Sequence, residues 1–472
     1  MFFLITCICL SVVAQQANHI APVFDTAFAP GSSKDCFVGR ITITGNKKTK
    51  ENIILREIPF RTGETYPLSV LVEKFEDARR QLMNTTLFHS VVVAAENFEA
   101  TTVHIIITVK ERWYLFPAPY LKPVDRNLNQ WIVQQKARLD RVEYGGKLYY
   151  YNATGRNDKL KMTYIDGYSR QVSVSYDRMY IDKKMKWGLK VGFAAGRNRE
   201  FNYNTIDDKQ AFFKDPDNYT SKFLNINAEV TYRRAIRTRH SFGIGFSKSE
   251  VSDTILKLNP HYYDKGRTGV TVPSVYYSMG HYNLDYNPYP TKGYAAELSF
   301  TKKGLNSSFN SWELNAKGFG AWHLLPKAFL NVAVYGGIKL PFEQPFVNHR
   351  FFGYGDVFMH GYEYNVVDGV AGGYLKTSLN RELFNFKIRI PPIKRGKEAT
   401  YIPFRFVGKI FGSTGYVYHP ESQKNYLPNK MLYSGGSGID IISFYDLIFK
   451  IEWTFNQLGE NGLFLHRKSI FL

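Results

Sequence analysis

At 472 residues the chain is too long for one average domain, and its formal net charge is +20. Aromatics make up 16% of it, mostly Tyr and Phe, with 37 glycines, which suits many strands joined by glycine-bearing turns rather than a helical protein. Lys and Arg are scattered rather than clustered, which argues against a nucleic-acid binder and for anionic lipid headgroups or a basic lumen. The mean hydropathy of −0.29 does not exclude a membrane protein, because strands of a membrane barrel alternate between lipid and lumen.

Residues 1–14, within MFFLITCICLSVVAQQ, read as a secretory signal. Val12 and Ala14 stand in place for cleavage before Gln15, and the apolar run is shorter than the roughly 20 residues of a spanning helix. Cys7 and Cys9 would leave with it, so Cys36 has no internal disulfide partner and reads as an ordinary thiol. Residues 15–36 read as a linker.

Residues 37–113 read as a small domain. In FVGRITITGN, Ile41 and Ile43 face one way and Arg40, Thr42 and Thr44 the other, as in a half-buried strand closed by the turn Gly45-Asn46. Ile54, Leu55 and Ile58 fit a short helix, and Leu71, Phe75, Ala78 and Leu82 form the stripe of a longer one. SVVVAA and TTVHIIITV follow as strands, with Val103, Ile105, Ile107 and Val109 on one side and His104 on the polar face as a surface histidine. The order β-α-α-β-β resembles a polypeptide-transport-associated (POTRA) domain, carried by ITITGNKKTKENIIL, NTTLFHSVVV and VHIIITVKERW. An edge strand in such a domain can accept a strand of another chain.

Residues 114–137 read as a connecting segment. From residue 138 onward no amphipathic helix is convincing, and period-two segments take over. In LNINAEVTYR, Leu224, Ile226, Ala228, Val230 and Tyr232 alternate with polar residues. Near the end Phe449, Ile451, Trp453 and Phe455 alternate with Lys450, Glu452, Thr454 and Asn456. A soluble β-sandwich would alternate too. The number of strands, the charged residues in mid-strand and the aromatics near strand ends favour a transmembrane antiparallel β-barrel.

ERWYLFPAPYL, DRNLNQW, RVEYGGKLYYYNATGRNDKLKM, YNLDYNPYPTKGYAAELSF, FFGYGDVFMHGYEYNVVDG, LYSGGSGIDI and FNQLGENGLFLHRKSIFL follow one another along the chain. In that order they resemble the BamA/TamA surface-antigen family of outer membrane barrels, in the single-POTRA form typical of Bacteroidetes. The resemblance implies a 16-strand barrel over residues 138–472 behind a periplasmic POTRA domain, in the outer membrane of a Gram-negative bacterium. It implies a weak seam between a first strand near residues 141–151, holding Gly145 and Gly146, and a last strand ending at Phe471 and Leu472. It also implies an extracellular loop, 348–369, folded into the lumen. Gly353 and Gly355 let that loop reverse, and Gly361 and Tyr362 match the family's Arg-Gly-aromatic tip, with His360 in place of the arginine. The family's acid, within Phe-x-Asp-x-Gly, is replaced by Ser413 in FGSTG. Both halves of an ion pair are thus exchanged together, and either a His360–Ser413 hydrogen bond or a histidine facing lumen water follows.

The implied function is insertion or translocation of unfolded outer membrane or secreted proteins, with possible accessory subunits and outer membrane lipid as further partners. A two-partner-type secretion pore and a passive porin-like barrel are the alternatives. The sequence holds no G-x-S-x-G, HExxH or Cys/His cluster. Hence no enzyme activity, cofactor, metal or nucleic acid is expected.

Overall fold

The computed structural model describes residues 35–123, 136, 139, 142–182, 184–305, 309–355, 357–391, 400–421 and 425–466. The signal segment and nearly all of the linker lie outside them, as do Phe471 and Leu472.

The amino-terminal domain is β1 (Asp35–Thr44), α1 (Glu51–Glu57), β2 (Thr65–Pro67), α2 (Leu68–Asn84), β3 (Phe88–Glu99) and β4 (Thr102–Glu111). Its sheet runs β2-β1-β4-β3, with β1 and β4 parallel. Parallel pairing needs a long crossover, which the two helices provide. Leu71, Ala78 and Leu82 of α2 and Ile53 and Ile54 of α1 bury against Val38, Ile105 and Ile107 of the sheet. Leu55 is 43% exposed, because each residue turns about 100° around the helix and Ile53 and Ile54 already take the sheet side. Asp35 and Cys36, read as linker, pair with Pro67 and Tyr66 of the unforeseen β2. His104 is more than a surface residue: its Nδ1 accepts the Arg40 N–H at 2.9 Å, beside the register shift between Val38 and Ile41.

The remaining strands are β5 (Leu115–Pro123), β6 (Val142–Tyr151), β7 (Lys159–Gly167), β8 (Ser169–Tyr180), β9 (Trp187–Asn198), β10 (Glu200–Ile206), β11 (Lys209–Lys214), β12 (Ser221–Tyr232) and β13 (Thr238–Val251). They continue as β14 (Gly269–Leu284), β15 (Gly293–Lys303), β16 (Ser311–Leu325), β17 (Ala328–Leu340), β18 (Arg350–Phe352), β19 (Val367–Asp368), β20 (Ala371–Ile390), β21 (Thr400–Tyr418), β22 (Met431–Ile442), β23 (Ile448–Asn456) and β24 (Asn461–His466). Sixteen of them, β5 to β9, β12 to β17 and β20 to β24, form one antiparallel sheet in chain order. The hairpins β10–β11 and β18–β19 are separate insertions.

Alternation places Ile226 opposite Phe246, Phe242 opposite Tyr277, and Tyr277 opposite Phe300. Phe242 is 51% and Ile244 62% exposed in the middle of their strands. On the other face Glu297 lies opposite Lys317. An apolar belt outside and charges inside is the pattern of a transmembrane β-barrel. No helix among the described residues is long and apolar enough to cross a membrane. The barrel begins earlier than expected: β5 lies within the segment read as a connector, whose three prolines argue against a central strand but are tolerated at an edge.

Candidate functional site: seam, inward loop and docked domain

The first and last strands of the sheet are β5 and β24, and among the described residues no ladder joins them. The seam therefore lies one strand earlier than expected. Gly145 and Gly146 are on β6, paired with Tyr120 and Pro119 on one side and with Ile165 and Tyr164 on the other. Tyr151 N–H donates to the Tyr114 carbonyl at 2.8 Å. With the unbroken register of β5 on β6, this fixes the phase: even-numbered residues turn their main-chain groups to β6. Leu115, Pro117, Pro119, Leu121 and Pro123 turn theirs to the open edge. Proline has no N–H, so the seam edge of β5 keeps donors only at Leu115 and Leu121. In hydrocarbon an unmatched carbonyl costs several kcal/mol, so a donor-poor edge makes a weak closure.

The segment between β17 and β20 folds inward. Phe352, Met359, Tyr362 and Val367 bury against Val417, Leu427 and Leu432. Gly361 has φ +82°, and a Cβ there would lie 2.9 Å from the Phe455 carbonyl oxygen. Only glycine fits so close to the wall. The Gly361 carbonyl accepts from Asn456 Nδ2 at 2.7 Å, and the Tyr362 hydroxyl donates to the Tyr433 carbonyl at 3.1 Å. Gly353 also has positive φ, +86°, with the Asn365 carbonyl 2.6 Å from its would-be Cβ. Gly355 meets nothing within 4 Å, so packing does not require glycine there.

The structure brings His360 and Ser413 together, with Nδ1 3.2 Å from Oγ. It also supplies an acid that the sequence reading missed. Glu452 of β23, 1% exposed in its side chain, has Oε2 3.7 Å from His360 Nε2. Lys409, also buried with its side chain 6% exposed, has Nζ 2.5 Å from Glu452 Oε1 and 2.7 Å from Asp440 Oδ1. The tip thus faces a buried Lys–Asp–Glu group from β21, β22 and β23. Lys450, Glu452 and Thr454 are legible as a polar strand face, but their convergence on Lys409 and on the loop is not. A cycle of His360→Ala and Ser413→Ala, followed by thermal unfolding in detergent with EDTA, is expected to show a coupling of about 0.5–3 kcal/mol. Strict additivity would mean that the two do not support each other.

The amino-terminal domain is docked on the strand turns beneath the barrel. Glu57 of α1 holds Arg233, in the turn after β12, with both carboxylate oxygens at 2.5 and 2.6 Å. Arg56 adds a contact to Glu57 at 2.9 Å and one to the Met185 carbonyl at 3.2 Å. Burial alone would raise the Glu57 carboxyl. The hydrogen bonds and charge of Arg233, helped by Arg56, outweigh it and hold the group at about 2. On the other side Arg112 binds Asp446 at 2.5 Å, and His89 stacks on Phe444 at 4.8 Å. Burial, then the nearby Arg112 and Lys110, lowers His89 to about 4.

The POTRA family profile, "Surface antigen variable number repeat", matches residues 37–112. Over 92% of its length this chain superposes on CdiB from Escherichia coli, covering 75% of that chain with a TM-score of 0.52 at 10% identity. By fold, the chain is a POTRA domain followed by a 16-strand barrel of the kind seen in CdiB. BamA from Haemophilus ducreyi lacking POTRA domains 1–3 gives a TM-score of 0.49 at 14% identity, covering 92% of this chain and 83% of that one. CdiB from Acinetobacter baumannii gives 0.48 at 11%, covering 92% and 74%. No curated protein matches the chain by sequence.

Proposed function

We propose that this POTRA–barrel protein inserts or translocates other polypeptides at the outer membrane of a Gram-negative bacterium. Its POTRA domain, in the periplasm, receives unfolded client chains through the edge strand β3, and the seam between β5 and β24 opens toward lipid. The process forms no covalent bond. The observation that carries the reading is the donor-poor edge of β5, a weak closure in an otherwise continuous ladder. The same prolines limit how much backbone pairing a client can make on β5, so β24 is the better strand template. The inward loop occupies lumen space, which favours a route through the seam over one through the pore.

Depleting the protein and measuring the outer membrane proteome tests this. Broad loss of barrel proteins is expected, together with the same loss when a disulfide ties β5 to β24. Loss of one secreted protein alone would mean a dedicated secretion pore. An unchanged proteome would mean a passive barrel.

A further inference from the structure

Glu363 lies on the inward loop, Glu452 on β23 and His466 at the end of β24. His466 Nε2 is 3.4 Å from Glu363 Oε1 and 3.4 Å from Glu452 Oε2. Glu363 Oε1 and Oε2, Glu452 Oε2 and His466 Nε2 are all buried, and none has a hydrogen-bond partner among the described residues. Two carboxylates therefore turn their unmet oxygens toward one imidazole nitrogen, and all three ligand atoms lie within 4.8 Å of one another. Buried polar atoms normally find partners, so four converging atoms with none call for an explanation.

A proton on His466 is the simple alternative. A charge-assisted N–H···O bond would close to about 2.7–2.9 Å, shorter than either separation here. The spacing instead matches ligands around a common ion. Nitrogen and oxygen donors at about 2.0–2.2 Å from a tetrahedral centre stand about 3.3–3.6 Å from each other. His360 Nε2 is 3.7 Å from the same Glu452 oxygen, beside the three residues that converge but outside their group. The other nitrogen of His360 contacts Ser413 Oγ, which fixes the ring beside the site. Lys409 occupies the other oxygen of Glu452, leaving Oε2 as a single donor.

We propose that Glu363, Glu452 and His466 form a binding site for a divalent transition-metal ion of the Zn2+ class, with water completing its shell. A buried imidazole nitrogen between two carboxylates suits such an ion, whereas calcium and magnesium prefer an all-oxygen shell. The ion joins the inward loop to β23 and to the last strand. It therefore pins β24, the side of the seam that the donor-poor β5 holds weakly. The metal site stands on geometry alone, and its effect on the seam rests on the proposed function.

The test uses the full chain without a histidine tag, purified in detergent, stripped with EDTA and desalted. Titration with Zn2+ alone is expected to show one saturable equivalent per chain, and Co2+ the visible absorption of a four-coordinate ion. Glu363→Gln and His466→Gln remove saturable binding. Retained heat-modifiable migration on a gel shows that each variant is folded. Should a variant fail that check, the Co2+ spectrum of the unaltered protein decides. Absence of saturable binding, or binding unchanged by Glu363→Gln, overturns the site. Hydrogen exchange in β24 is read beside it: slowing by Zn2+ supports the pin. Saturable Zn2+ with no slowing leaves the site standing and overturns its role at the seam.

Discussion

Glu57→Ala is expected to release the POTRA domain from the barrel. Glu57 is the anion of a basic pocket lined by Lys159, Arg178, Arg233, Arg237 and Arg239. The side chain of Arg233 is 12% exposed, and both its terminal nitrogens rest on Glu57. Removing one partner of a buried pair leaves the other charge uncompensated, at roughly 3–5 kcal/mol. Here the charge left behind also faces other cations, so the upper part of that range is expected. Hydrogen exchange of α1 and of residues 233–237 in the detergent-solubilised chain measures it, and Glu57→Gln, which keeps some hydrogen bonding, loses less. Unchanged exchange in the alanine variant would show that the Arg112–Asp446 side alone holds the domain.

The same contacts make docking acid-sensitive. Glu57 is depressed in the docked state to about 2, from an ordinary 4.5. Its contribution is complete above 4.5 and is lost as pH falls from there toward 2. His89 is depressed to about 4 from 6.5, and it is neutral when docked. A base held neutral in this way also costs stability as pH falls, here between 6.5 and 4. Both groups weaken docking in the same direction, so undocking on acidification is expected in two successive windows. His89→Phe, which keeps the stack on Phe444, removes the upper window.

Lys409→Met is expected to destabilise the barrel by a similar amount, roughly 3–5 kcal/mol. The lysine is 6% exposed and touches Asp440 and Glu452, which are 3% and 1% exposed. The Tyr289 hydroxyl, 2.9 Å from Asp440, is the remaining donor to that carboxylate. Without the lysine two buried carboxylates face each other behind the loop tip. The temperature of heat-modifiable conversion, measured in EDTA, should fall sharply. The triple variant Lys409→Met, Asp440→Asn, Glu452→Gln should recover much of the loss, because replacing a whole buried charge group is far cheaper than breaking it. A single variant as stable as the parent would mean that lumen water, not Lys409, satisfies the two acids.

By itself the sequence determined the two longer helices and much of the strand alternation, with their faces. Alternation around Ile226 and Val230, the α2 stripe and the Gly361–Tyr362 tip are local patterns, and local patterns follow from the helix and strand repeats. The sequence also placed His360 and Ser413 as candidates to meet. Only the tertiary structure decided what converges. Pro117, Pro119 and Pro123 read as a connector until pairing with β6 made them an edge strand with its donors removed on the open side. That is a fact about a neighbour, not about the residues. Glu363, Lys409, Asp440, Glu452 and His466 come from a loop and four strands, up to 103 residues apart in the numbering. No spacing rule joins them, because curvature and closure of the sheet, rather than any short-range repeat, bring their side chains to one point in the lumen. Docking of Glu57 on Arg233 is likewise invisible in the chain, since each residue looks like an ordinary surface charge until the domain covers both.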